Sequence, residues 1–204
     1  MDFSWDDSRR AFADAADWFV DTVGLVGDRW DQPGLGEWDV RALVGHTSRS
    51  FLTVETYLDR PATDVDVSSP AGYFRISRAA AAGPAVAARG RDAGTALGPD
   101  PAAAVAEIAA RVVRLVDTRD GADLLTTIVG GMRLGDYLPT RTFELAVHTA
   151  DLATAIGEPV DIPVTAAAQA LQVVSDLALL EGHAGPLLLA ATGRAGLPTG
   201  FSVL

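Results

Sequence analysis

The chain of 204 residues has no cysteine. It therefore offers no disulfide, no thiolate nucleophile and no sulfur-ligated metal site. Lysine is missing as well, and all 16 basic residues are arginine. A Schiff-base mechanism, which needs an amine side chain, is excluded. Positive charge is scarce overall: 27 acidic residues leave a formal net charge of -11. Such a chain repels phosphate backbones, so nucleic acid is not an expected partner. No apolar run approaches the ~20 residues needed to span a bilayer. The acidic start, Met1 to Asp7, is not followed by an apolar stretch and does not read as a signal peptide. A cytoplasmic protein without membrane contact is expected.

What remains is long enough to bury a core without a disulfide or structural metal. The length suggests one domain over 1–204, with a bundle over about 5–160 followed by an additional helix and a tail over 161–204. Helical periodicity dominates. Phe12, Ala15, Ala16, Phe19, Val20 and Val23 mark a helix over 5–27 that Ser4 can cap. Trp30 to Trp38 reads as a loop, and Asp39 caps a second helix running to Leu58. A third helical region covers 70–94, interrupted at Pro84, and Asp100-Pro101 opens a fourth that ends near Val116. Leu124 to Val129 favours strand and Gly130-Gly131 signals a turn, which together suggest a short hairpin. A fifth helix spans Asp136 to Ile156 and stops at Gly157. Pro163 opens a sixth, to Leu180, before a tail rich in glycine and proline. The expected fold is all-α: a helical bundle with extra helices and a small irregular or β-hairpin insert.

Histidine is also sparse, at positions 46, 148 and 183 only. Glu144 and His148 stand four residues apart on the fifth helix, which stacks a carboxylate and an imidazole one turn apart. His46, two turns into the second helix, is a third donor that a bundle can bring to the same interior point. Two histidines and one glutamate, without a fourth protein ligand, are the donor set of an open catalytic zinc site. Glu and His at this spacing also form an ordinary surface pair worth a few tenths of a kcal/mol. The apolar neighbours Phe143, Leu145, Ala146 and Val147 favour the metal, because an uncompensated carboxylate there would cost several kcal/mol. Asp151 lies on the same face. It either orients a ligand histidine or makes a plain helix contact. His183, between glycines, reads as a surface or capping residue.

Two stretches carry a resemblance. Trp30-Asp31-Gln32-Pro33 with Gly36-Glu37-Trp38-Asp39-Val40-Arg41-Ala42-Leu43-Val44-Gly45-His46 is the first, and Arg141-Thr142-Phe143-Glu144-Leu145-Ala146-Val147-His148-Thr149-Ala150-Asp151-Leu152-Ala153 is the second. Together they resemble the mycothiol-dependent maleylpyruvate isomerase family, actinobacterial proteins of DinB-like fold. An alanine-rich, arginine-only composition fits such a high-GC source. The resemblance implies a DinB-like four-helix bundle whose zinc ligands are His46, Glu144 and His148, with mycothiol or another small thiol as cosubstrate. The family's isomerases carry a further C-terminal domain that contributes an arginine to the substrate site. The stretch from Thr149 to Leu204 is expected to be too short for it, so the resemblance marks the metal-and-thiol scaffold rather than the maleylpyruvate reaction.

The chemistry expected is a zinc-dependent enzyme that activates a small thiol for attack on a small electrophile, as isomerase or S-transferase. Arg141, beside the metal-bearing face, and Asp151 are the expected catalytic groups. Arg133, Trp38 and Tyr137 are the expected contacts of the cofactor, and Arg75 is a more distant anion receptor. Each also has an ordinary reading: a surface arginine in an acidic chain, or an aromatic that belongs to the core. A thiol-independent metal hydrolase and a non-catalytic metal-binding protein, monomer or homodimer, are the competing readings.

Overall fold

Ser4 starts the first helix, α1 (Trp5–Gly24), through a reciprocal capping box with Asp7. The computed structural model describes residues 3–78 and 84–204. α1 stops three residues earlier than its apolar periodicity suggests, because Gly24 weakens the last turn and Gly27 takes a positive φ of 62°. A short 3₁₀ turn, Arg29–Asp31, leads into the expected loop. Asp39 caps α2 (Val40–Leu58) by accepting from the Ala42 N–H. The third region is two helices, α3 (Pro70–Ser77) and α4 (Pro84–Ala96). Pro84 is the first residue of α4, a position that its fixed φ and missing donor favour. The part of the expected helix over 79–83 lies outside the described residues. Asp100 and Pro101 open α5 (Pro101–Asp117).

The hairpin forms, but its turn is not where the glycines suggest. β1 (Leu124–Thr127) and β2 (Gly130–Arg133) pair antiparallel in the register Thr127 to Gly130, so Ile128-Val129 is the turn. Gly130, with φ of 106°, and Gly131 begin the second strand. They are glycine because the 62–66 loop crosses them. A Cβ at Gly131 would lie 2.0 Å from the Asp64 carbonyl oxygen, and one at Gly130 would meet the Asp66 carboxylate. Asp66 then accepts from the Gly131 N–H at 2.7 Å.

β2 leads directly into α6 (Leu134–Ile156), two residues earlier than expected, and Gly157 ends it in the left-handed region. α7 (Val164–Leu180) and a short α8 (Ala184–Ala191) follow. α1 and α2 are each flanked by α5 and α6, which makes a four-helix ring. α4 packs outside it on α2, and α7 outside it on α1 and α6. The core runs through the ring, from Phe12, Phe19 and Phe51 to Leu138, Leu145 and Leu152. The architecture is an all-α bundle with a β-hairpin insert, consistent with the DinB-like fold. Among the described residues no helix is long and apolar enough to cross a membrane.

Candidate metal centre

α2 and α6 are neighbours in the ring, and their contact brings three donors together. One ligand atom each from His46, Glu144 and His148 lies within 4.8 Å of the others. The two imidazoles meet edge to face, with ring centroids 4.9 Å apart. His148 Nε2 and Glu144 Oε2 are 3.2 Å apart. Two donors of a tetrahedral ion with bonds near 2.0–2.1 Å stand about 3.3 Å apart, so this pair already has the spacing of a shared cation.

The backbone approach that places His46 is built from glycine. A Cβ at Gly45 would lie 2.1 Å from the backbone nitrogen of Gly94, and one at Gly94 would lie 2.6 Å from the Arg41 carbonyl oxygen. α2 and α4 therefore touch backbone to backbone beside the ligand. Trp38 packs on the His46 ring, with centroids 4.4 Å apart, and its indole N–H donates to the Ala87 carbonyl of α4 at 3.0 Å. Gly90 makes room for that indole. His46 Nδ1 is buried and has no hydrogen-bond partner among the described residues. A buried nitrogen left so costs about 1–3 kcal/mol, which a partner from outside the chain would remove.

His148 is held at both nitrogens. Its Nδ1 lies 3.0 Å from Asp151 Oδ2, so Nε2 is the nitrogen presented to Glu144. Burial disfavours a charged ring here, but the hydrogen bonds to Asp151 and Glu144 outweigh it and carry His148 up to about 9. His46 goes the opposite way. Burial, then the charge of His148, lowers it to about 4. The metal-free pair thus keeps one imidazole neutral and one protonated. Burial would raise Glu144, yet its hydrogen bond with His148 and the charge of Arg141 hold it below the usual carboxylate range.

Arg141 is buried and lies one turn before Glu144. Its guanidinium carbon sits 5.0 Å from the Tyr137 ring centroid and 5.3 Å from that of Tyr73. Nε donates to Thr140 Oγ1 at 3.0 Å, and one terminal nitrogen lies 3.9 Å from Glu144 Oε1. Burial works against this charge, but Tyr137, Tyr73 and Glu144 outweigh it and push the pKa up. All three tyrosines of the chain meet here, because Tyr57 also packs on Tyr137.

Other expected residues are placed apart from the cluster. Tyr137 is fully buried, its hydroxyl donates to Thr53, and its ring faces the Arg141 guanidinium. Arg133 is exposed at the start of α6, paired with Asp136 at 3.6 Å. Eleven residues of helix put it about 16 Å along the axis from Glu144. Arg75 is exposed on α3 and makes no ion pair among the described residues. His183 precedes α8, makes no capping hydrogen bond and packs on Phe201. Two neighbours of the site were not anticipated. Tyr73 comes from α3, with no sequence link to either motif. Arg49, half-buried three residues past His46, carries a charge that reaches that ring and makes no ion pair among the described residues. The i,i+3 spacing on α2 was a signal for Arg49.

The donors, the oriented imidazole and the unsatisfied nitrogen fit a divalent cation. Against known families, residues 6–153 match the model described as the mycothiol maleylpyruvate isomerase N-terminal domain. No curated protein and no solved structure matches the chain significantly. The matched span covers most of the chain and contains all three donors, and together with their geometry it supports a metal-dependent enzyme. The chain belongs to the family of mycothiol maleylpyruvate isomerase N-terminal domains.

Proposed function

We propose that His46, Glu144 and His148 hold one zinc ion, and that the protein uses it to activate a small thiol for attack on a small electrophile. The observation that carries this reading is the meeting of the three donors within 4.8 Å. A cation held by only three protein groups keeps an open position and lowers the pKa of a thiol placed there. Mycothiol stands in the family's description, and the absence of cysteine means that the sulfur comes from a small molecule. The setting is the cytoplasm, where small thiols are kept reduced.

The chain's own residues set the geometry. Asp151 accepts from His148 Nδ1 and presents Nε2, as outer carboxylates do for ligand histidines. Trp38 fixes the plane of the His46 ring. Arg141, held between two tyrosine faces, steadies the Glu144 carboxylate. With Arg49 it makes the surroundings of the donors locally positive in an acidic chain, which favours a thiolate and an anionic substrate. If the thiol is regenerated after the bond rearranges, the enzyme is an isomerase. If the conjugate leaves, it is an S-transferase.

Metal analysis of the purified protein is expected to find about one zinc per chain, lost in His148→Ala and Glu144→Ala. Stoichiometric metal in both variants would overturn the ligand set. Mycothiol added to the cobalt-substituted protein is expected to change its visible spectrum through sulfur ligation. An unaltered spectrum removes the thiol from the reading, and turnover without thiol points to a hydrolase.

A further inference from the structure

The face of α7 that looks away from the bundle is apolar where an outer helix face is normally polar. Val164, Ala168, Leu171, Ser175 and Leu179 are all exposed and follow one another at steps of four, three, four and four. At 3.6 residues per turn they fall within about 80° of arc. Val164, Leu171 and Leu179 are 84%, 63% and 68% exposed. Ala166, Ala170, Val173 and Leu177, on the opposite face, are the residues that pack into the protein. α8 adds exposed Leu188 and Leu189 and buries none of its residues.

The order of the stripe and its charge both select the occupant. Large and small residues alternate, and the pattern reads the same in either direction. Inverted about the point between Leu171 and Gln172, Val164 meets Leu179, Ala168 meets Ser175, and Leu171 lies beside its own copy. A two-fold contact requires this self-complementarity. The small residues at 168 and 175 allow two helices to close on each other between the larger ones. Two chains of net charge -11 can approach only where acids are few. From Val164 to Ala191 the acidic residues are Asp176 and Glu181. Glu181 pairs with Arg78 at 3.6 Å, and inversion sets Asp176 against Ala167 rather than against another acid. An anionic lipid surface does not fit, since it requires the clustered basic residues that this face lacks.

We infer that the outer face of α7 is the two-fold contact of an antiparallel homodimer, with Leu171 next to the axis. A helix of this length is about 25 Å long, so one helix pair with the flanking α8 leucines lies at the small end of stable interfaces. The dimer is therefore weak and dissociates on dilution.

Sedimentation of the full chain across the micromolar range is expected to show a reversible monomer–dimer equilibrium. Leu171→Glu is expected to be monomeric throughout, with unchanged circular dichroism and melting, because the side chain it replaces is exposed. The cysteine-free chain makes the register testable. Leu171→Cys is expected to cross-link to itself on mild oxidation, since copies beside the axis come within disulfide range. Val164→Cys alone is not, because inversion separates its copies by about 22 Å, but it is expected to cross-link to Leu179→Cys in a mixture. A wild-type monomer at all concentrations, a dimer that survives Leu171→Glu, or self-cross-linking of Val164→Cys in preference to Leu171→Cys would each overturn the inference.

Discussion

Stripping metal from the centre exposes two histidines that make stability depend on pH in opposite senses. In the metal-free protein His148 titrates near 9, against 6.5 for an ordinary histidine. A group whose pKa is raised by folding stabilises fully below its unfolded pKa, and that contribution is lost as pH rises through the folded value. At about 1.4 kcal/mol per pH unit, the gap is worth at most about 3.5 kcal/mol, lost between pH 6.5 and 9. His46 is lowered to about 4, so its contribution is present above 6.5 and is lost as pH falls toward 4, again at most about 3.5 kcal/mol. The metal-free protein is therefore expected to be most stable near pH 6.5 and weaker on both sides.

A divalent ion changes the alkaline limb. It must displace the proton from His148 Nε2, so its apparent affinity rises about tenfold per pH unit up to about pH 9. Bound metal stabilises the fold by RT ln(1 + L/Kd), where L is the free metal concentration, so at fixed free metal the gap between metal-bound and metal-free protein widens as the apparent Kd falls with rising pH. Urea unfolding, with chelator or with excess zinc, measures both curves. His148→Gln is expected to flatten the alkaline limb of the metal-free curve. A metal-free curve level from pH 6.5 to 9 would refute the reasoning, as would a zinc increment that does not grow with pH.

Asp151→Asn keeps the shape of the residue but weakens its hold on His148 Nδ1, and it is expected to cost 10- to 100-fold in metal affinity, read by chelator competition, and to take from the metal-free protein part of the stability that protonated His148 contributes. Gly45→Ala drives a methyl into the Gly94 backbone and is expected to destabilise the fold by about 3 kcal/mol or more in urea unfolding. Arg141→Lys keeps the charge but loses the planar stack on Tyr73 and Tyr137, so its zinc affinity is expected to fall between those of wild type and Arg141→Met.

Helix boundaries were legible where a cap spells them out. Ser4, Asp39 and Asp100 each accept from the backbone of their first turn, and each is a local signal that a sequence displays. The hairpin turn was misplaced because glycine has two uses. At 130 and 131 it answers the 62–66 loop pressing from above, a long-range contact that no local pattern carries.

The site divides along the same line. Glu144, His148 and Asp151 share one helix face, so their spacing states their geometry. Partners from other helices do not announce themselves. Tyr73 reaches Arg141 from α3, and Tyr57 reaches Tyr137 from α2. Arg141 shows what this hides. By sequence it is a cation near the metal-bearing face, ready to receive a substrate carboxylate. In the fold two aromatic faces enclose it, and among the described residues its ion pair is with Glu144, at 3.9 Å. A guanidinium confined in this way can tune an incoming anion through its field, but it has little freedom to grip one. On the proposed function, an anionic substrate is expected to be received by a less confined cation such as Arg49, which lies on the turn of α2 that follows His46 and makes no ion pair among the described residues.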